Sequence, residues 1–111
     1  ALCTNKPLEP ARQIVNTFDM TSLFDLVIGG DSLPQRKPDP AMLLACLMNG
    51  KGLYVGDSEV DAETAERAGV PFALFTKGYR KTPIEQLVHS YAFDNFSELT
   101  AIVERFTNPP D

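Results

Sequence analysis

Short apolar runs alternate along the chain with longer segments in which apolar residues recur every three or four positions. The first of the longer segments predicts an amphipathic helix, because its apolar residues follow the spacing i, i+3, i+4, i+7 and a proline fits the first turn. These apolar residues are Ala11, Ile14, Val15 and Phe18, and the proline is Pro10. Comparable signals predict helices at 42–48, 60–68 and 83–88, and a closing helix capped by Ser97.

The short runs have the length and the flanking turn residues of buried strands. They predict strands at 26–28, 53–55, 72–75 and 91–93, and residues 1–4 have the pattern of the end of another strand. Strands that alternate with helices favour an α/β fold, in which helices cover both faces of a parallel sheet. We therefore expect a three-layer α/β/α, Rossmann-like domain over residues 1–111.

The composition is that of an ordinary globular domain, with 43% hydrophobic and 23% charged residues. The formal net charge of -5 opposes binding to nucleic acid or to an anionic membrane surface, since both need clustered Lys and Arg. The apolar runs are far shorter than the roughly 20 residues that cross a bilayer, and the first residues lack the pattern of a secretory signal. We expect a soluble, cytoplasmic protein in which Cys3 and Cys46 are reduced thiols.

Two carboxylates, Asp57 and Asp61, follow the predicted strand at 53–55. Strand-to-helix turns of a parallel sheet meet at its carboxyl edge, where α/β proteins form their ligand crevices. Hard oxygen ligands at that edge suit Mg²⁺, which proteins usually hold with one or two carboxylates together with waters and phosphate oxygens. The same pair is also typical of a plain helix start, with a capping Asp and an acidic first turn.

Two further turns expected at this edge carry groups that suit a phosphate. Thr4 offers a hydroxyl, and Asn5 and Lys6 follow it at a turn where backbone N–H groups are available to an oxyanion. Lys37 offers a positive charge in the loop 31–40, whose three prolines would restrict the backbone around it. Taken singly, Thr4 is an ordinary strand-end threonine and Lys37 a solvated loop lysine. Together with an acidic magnesium site they predict a phosphoryl-transfer pocket.

The order of these motifs resembles that of the haloacid dehalogenase-like (HAD) hydrolases. Thr4, Lys37 before a proline, and Gly56-Asp57-x-x-x-Asp61 are similar to that family's second, third and fourth motifs. The sequences at 4–7, 29–40 and 53–61 resemble its phosphoglycolate phosphatase branch. The resemblance implies a magnesium-dependent hydrolase of a small phosphomonoester that acts through an aspartyl-phosphate intermediate.

The resemblance also implies a role for each candidate residue. Thr4 would hydrogen-bond the phosphoryl oxygens, and Lys37 would neutralise charge between the nucleophile and the phosphate. Asn5 would lie near the substrate. Asp57 would bind magnesium, directly or through water, and Asp61 would complete or orient that site. Residues 78–79 resemble the family's loop that borders the active site.

The chain departs from the family pattern at the nucleophile. In the family the attacking carboxylate belongs to an Asp-x-Asp motif, and no such pair occurs in the sequence. We therefore expect residues 1–111 to be the C-terminal part of a core domain, without the first strand motif and the cap, and to be inactive alone. Another phosphatase of the family, a dehalogenase and a non-catalytic binding protein derived from such a core stay open as alternatives. A receiver domain is disfavoured, because its acidic pocket precedes its lysine.

Overall fold

The computed structural model describes residues 1–78 and 80–108, which fold into two compact units. The first unit ends at Gly50, and the second begins at Lys51. Each unit combines parallel strands with helices, which confirms the predicted α/β class. Within the described residues no helix is long and apolar enough to cross a membrane. The single domain predicted over 1–111 stays a prediction.

The first unit contains two parallel strands and two helices. Its elements are β1 (Leu2–Cys3), α1 (Leu8–Thr17), a 3-10 turn (Thr21–Leu23), β2 (Val27–Ile28) and α2 (Ala41–Leu47). β1 and β2 pair in parallel. α1 buries Ala11 and Val15, which lie four residues apart on one helical face. Phe18 of the predicted apolar stripe is 68% exposed, because the helix ends at Thr17 and the chain turns away.

The second unit is built on three parallel strands in the order β3-β4-β5. Its elements are β3 (Tyr54–Gly56), α3 (Glu59–Ala68), β4 (Phe72–Phe75), β5 (Tyr91–Phe93) and α4 (Leu99–Thr107). β4 is the central strand, and its continuous apolar run is buried at Phe72, Ala73 and Leu74. Phe93 of β5 and Ile102 of α4 complete this core.

Three phenylalanine rings pack together where β4 and β5 end. The ring of Phe75 lies 5.5 Å from that of Phe93 and 4.6 Å from that of Phe96, measured between ring centroids. Phe93 and Phe96 are 5.4 Å apart in an edge-to-face arrangement. Tilted and edge-to-face rings at these distances attract each other beyond their simple burial. This aromatic cluster (Phe75, Phe93, Phe96) therefore fixes the carboxyl end of β4.

The local start and stop signals in the sequence predict most helix ends. α2 ends before Met48 and Asn49, which take left-handed backbone angles (φ of 50° and 66°), close to the predicted stop. Gly69 ends α3 with φ of 70°, a conformation that glycine adopts without steric cost.

Two predicted helices differ in the structure. The helix predicted at 83–88 is wrong: only a 3-10 turn forms at Ile84–Gln86, and Leu87 is already extended. The closing helix does not take Ser97 as its cap, because a 3-10 turn at Phe96–Glu98 precedes α4. The side chain of Asn95 instead accepts the backbone N–H of Ser97 at 3.0 Å. The polar cap therefore lies two residues earlier than predicted.

Candidate functional site

Thr4 directly follows β1 in the first unit. Its backbone N–H donates to the carbonyl oxygen of Ile28 at 3.0 Å, which extends the pairing with β2 by one residue. Its hydroxyl oxygen accepts the backbone N–H of Lys6 at 3.2 Å. Because the oxygen is used as an acceptor, the hydroxyl hydrogen is the group with which Thr4 would donate to an oxyanion.

Asn5 links the turn after β1 to the loop before α2. Its side-chain nitrogen donates to the carbonyl oxygen of Lys37 at 3.0 Å, and its side-chain oxygen accepts the N–H of Lys37 at 2.9 Å. The two bonds hold the backbone of Lys37 across 32 positions of the sequence. Lys37 is half-buried, and the Lys37–Pro38 peptide bond is cis. The structure thus brings Asn5, the neighbour of Thr4 in sequence, against the backbone of Lys37. The common site predicted for Thr4 and Lys37 stays a prediction.

Gly30 allows the loop before α2 to approach the turn after β1. Its backbone N–H donates to the carbonyl oxygen of Lys6 at 2.7 Å, and its own carbonyl oxygen accepts from the guanidinium of Arg36 at 3.0 Å. A Cβ at Gly30 would collide with the backbone of Asn5. The sequence shows Gly29-Gly30 only as a strand breaker, so this supporting role was missed.

The start of α1 depends on a carboxylate of the same loop. Asp31 accepts the backbone N–H of Leu8, the first residue of α1, at 2.8 Å. A negative charge at a helix N-terminus is favourable because it faces the positive end of the helix dipole. Asp31 therefore has a capping role that the sequence pattern did not indicate.

β1 and α2 are also joined by their cysteines. Cys3 and Cys46 form no disulfide, and their side chains share a hydrogen bond. This hydrogen bond, together with burial and the charge of a Cys3 thiolate, raises the pKa of Cys46 well above its ordinary value. The hydrogen-bonded thiol pair thus lies beside Thr4, because Cys3 directly precedes Thr4 in sequence.

The carboxylate of Asp61, in the second unit, accepts hydrogen bonds from three neighbouring groups. Asp61 is 9% exposed, and its Oδ1 accepts from the hydroxyl of Tyr54 at 3.0 Å. Its Oδ2 accepts from the hydroxyl of Ser58 at 3.0 Å and from the backbone N–H of Asp57 at 3.3 Å. Ser58 in turn caps α3 by accepting the N–H of Asp61 at 3.3 Å, so the two residues form a reciprocal capping pair.

Gly56 leaves the room that Asp61 occupies. A Cβ at Gly56 would lie 2.6 Å from Oδ2 and 2.7 Å from Cβ of Asp61, closer than atoms approach without displacement. The glycine of the Gly56-Asp57 motif is therefore needed for the packing of Asp61 under the turn. That carboxylate in turn fixes the backbone of Asp57 at the end of β3.

The chemistry of these carboxylates fits magnesium. Asp57 is half-buried and directly follows β3, where its hard oxygens are suited to Mg²⁺. Among residues 1–78 and 80–108, no group of three or more His, Cys, Asp or Glu side chains is arranged to hold a metal. The protein would then supply one or two carboxylates, as magnesium sites that also use water and phosphate oxygens commonly do. Both oxygens of Asp61 accept from protein donors. Direct coordination of magnesium by Asp57 stays a prediction.

The described residues of the loop after β4 (76–78 and 80–82) contact this acidic turn at both ends. A Cβ at Gly78 would collide with the side chain of Asp57. The carboxylate of Glu59 accepts the backbone N–H groups of Lys81 at 3.3 Å and of Thr82 at 3.5 Å. Its own backbone N–H, and then these two, lower the pKa of Glu59. Tyr79, which the sequence placed beside the site, lies outside the described residues.

A family model described as "Haloacid dehalogenase-like hydrolase" matches residues 1–75. The chain belongs to this family. The matched segment contains all the candidate residues: Thr4, Asn5, Lys37, Asp57 and Asp61. The match thus extends over both units, and the roles of these residues and their action on one phosphate stay predictions.

Two curated relatives of the chain carry the name phosphoglycolate phosphatase. The chain is 56% identical over 107 residues to a phosphoglycolate phosphatase of Cereibacter sphaeroides, which covers 94% of this chain and 49% of the relative. It is 50% identical over 110 residues to that of Rhodobacter capsulatus, with 96% and 50% covered. A solved structure from Haemophilus somnus, described as a predicted phosphoglycolate phosphatase, has a TM-score of 0.82 at 34% identity and covers 91% of this chain and 48% of its own. The chain therefore spans about half the length of these relatives.

Proposed function

We propose that this chain is part of a magnesium-dependent phosphomonoester hydrolase that acts on 2-phosphoglycolate through an aspartyl-phosphate intermediate. The proposal is carried by its identity of 56% and 50%, over almost the whole chain, with relatives named phosphoglycolate phosphatase. The paired contacts of the candidate residues within each unit support it. The cytoplasmic location expected from the sequence stays a prediction.

In the first unit, we assign phosphate binding to Thr4 and Lys37. Thr4 would donate its hydroxyl hydrogen to a phosphoryl oxygen, because its oxygen already accepts the N–H of Lys6. The Lys37 ammonium would neutralise charge on the phosphate and its attacking group. Asn5 would contribute by holding the backbone of Lys37, so that the ammonium starts from a fixed point.

In the second unit, Asp57 would hold magnesium and Asp61 would orient Asp57 through its backbone N–H. When bound, magnesium supplies positive charge that reduces the repulsion between an anionic phosphate and an attacking carboxylate. The family resemblance implies that the attacking carboxylate belongs to an Asp-x-Asp motif, which is not among residues 1–111. In the second unit, Asp57 would therefore bind the metal, and Asp61 would keep the backbone of Asp57 in place.

The test is phosphate release from 2-phosphoglycolate by the complete gene product. We expect turnover that requires magnesium, stops with a chelator and falls about 100-fold or more in Asp57→Asn. Asp94→Asn is the matched control, because it removes an exposed carboxylate that follows β5. Activity that survives both Asp57→Asn and chelation would refute the metal assignment. A clear preference for glucose 6-phosphate would favour another phosphatase of the family.

A further inference from the structure

Asp57 is in contact with a loop that belongs to a different part of the second unit. The backbone of Gly78 lies directly against its side chain, so closely that a Cβ at Gly78 would meet the Cβ, Cγ and Oδ2 atoms of Asp57. A backbone this close to a carboxylate restricts the rotamers that the side chain can adopt. The orientation of Asp57 therefore depends on the position of Gly78.

The near end of that loop is held by the sheet. The backbone N–H of Thr76 donates to the carbonyl oxygen of Phe93 at 2.8 Å, and its hydroxyl donates to the same oxygen at 3.3 Å. The side chain of Arg80 donates to the carbonyl oxygen of Phe75 at 3.4 Å, which ties Arg80 to the end of β4. These contacts hold Thr76 and Arg80 at the end of the sheet.

The far end of the loop is held by Glu59. This residue is the first of α3 and stands between Asp57 and Asp61 in sequence. Its Oε2 atom accepts from two consecutive backbone N–H groups, those of Lys81 and Thr82. An ordinary first-turn acidic residue would interact only with its own helix. Here the carboxylate interacts with its own backbone N–H and also reaches 22 and 23 positions along the chain.

We propose that Glu59 is a positioning residue for Asp57. Its carboxylate ties Lys81 and Thr82 to the start of α3. This restraint helps to hold Gly78, three residues before Lys81, against the Asp57 side chain. The consequence for magnesium affinity rests on the proposed function, whereas the restraint on the loop does not. Groups that orient a metal ligand commonly change metal affinity about 10- to 100-fold when they are removed.

Three variants of the complete gene product separate this role from the alternatives. Glu59→Ala removes both acceptor bonds, whereas Glu59→Gln keeps an acceptor oxygen and removes only the charge. Glu63→Ala is the matched control, since it removes an exposed carboxylate of the same helix that contacts Arg67. Magnesium titration by calorimetry and amide hydrogen exchange of the peptide that contains the loop are the two measurements.

We expect Glu59→Ala to raise the magnesium dissociation constant about tenfold and to speed exchange in the loop. Glu59→Gln should stay within about twofold of the wild type in both measurements, as should Glu63→Ala. The proposal would be overturned if amide exchange in the loop of Glu59→Ala were as slow as in the wild type. It would also be overturned if Glu59→Gln lost as much magnesium affinity as Glu59→Ala, because the loss would then be due to the missing charge and not to the missing hydrogen bonds. If the wild-type protein binds no magnesium while the exchange pattern holds, the proposed function fails and the loop restraint stands.

Discussion

The side-chain amide of Asn5 is hydrogen-bonded through both its nitrogen and its oxygen to the backbone of Lys37. The main chain of Lys37 is thereby tied to the turn after β1. Two bonds of defined direction limit both the position and the rotation of that backbone segment. Asn5 thus restrains the backbone of Lys37, and its place near the substrate stays a prediction.

Asn5→Ala removes this restraint without touching the ammonium. We expect kcat/KM for 2-phosphoglycolate to fall about 10- to 100-fold, because a displaced charge no longer meets the phosphate. Asn16→Ala, which truncates an exposed amide of α1, should have no effect. Steady-state kinetics on the complete gene product test this, and unchanged kinetics in Asn5→Ala would contradict the positioning role.

Lys37→Met removes the charge and keeps the restraint. The two bonds from Asn5 use only the main chain of residue 37, so the thermal unfolding midpoint should stay within a few degrees of the wild type. Turnover should fall about 100-fold or more, since one preorganised charge at the phosphate is lost. Lys51→Met, at an exposed position of the second unit, provides the comparison. A folded Lys37→Met protein with full activity would exclude this lysine from the site.

Gly56→Ala places a methyl group against the Asp61 carboxylate. Overpacking of this kind costs about 1–3 kcal/mol, and we expect the free energy of unfolding to fall by that amount. The loss should be smaller when the substitution is made in an Asp61→Ala background, because the crowded Oδ2 atom is then absent. Denaturant unfolding of the four proteins of this cycle measures the difference. Strictly additive losses would mean that the two side chains do not compete for space.

Cys46 should react slowly with alkylating reagents. Its pKa is raised, so at pH 8 a smaller fraction is thiolate than in an unperturbed cysteine, and only the thiolate attacks iodoacetamide. Cys3→Ala removes the hydrogen bond that is the largest cause of the shift, and it should speed the alkylation of Cys46. Peptide mass spectrometry after timed alkylation follows each cysteine separately. A Cys46 rate equal to that of the unfolded protein would show that the thiol pair is not formed.

Local patterns predicted the elements, and the order of motifs predicted the candidate residues. The spacing of Ala11 and Val15 and the stop at Gly69 are set by neighbours in sequence, so α1 and the end of α3 follow from the chain alone. The cap at Asn95 was missed because Ser97 has the same local signature, and only the 3-10 turn before α4 decides between them.

The supporting contacts of the site could not be predicted in the same way. Glu59 reaches Lys81 and Thr82, and Asn5 reaches Lys37, over separations of 22 to 32 residues. Their partners are backbone groups, which every residue type offers, so no residue pattern marks them. Asp61 differs because its partner Ser58 is local, and the sequence did indicate a helix start at that turn.

The aromatic cluster of Phe75, Phe93 and Phe96 ties the last residue of β4 to the end of β5 and to the turn before α4. Thr76, the next residue, is bonded to the carbonyl oxygen of Phe93 through both its backbone N–H and its hydroxyl. The end of β4 is therefore anchored by ring packing and by hydrogen bonds. The Asp57 side chain thus lies against a glycine that is only two residues beyond this anchored segment.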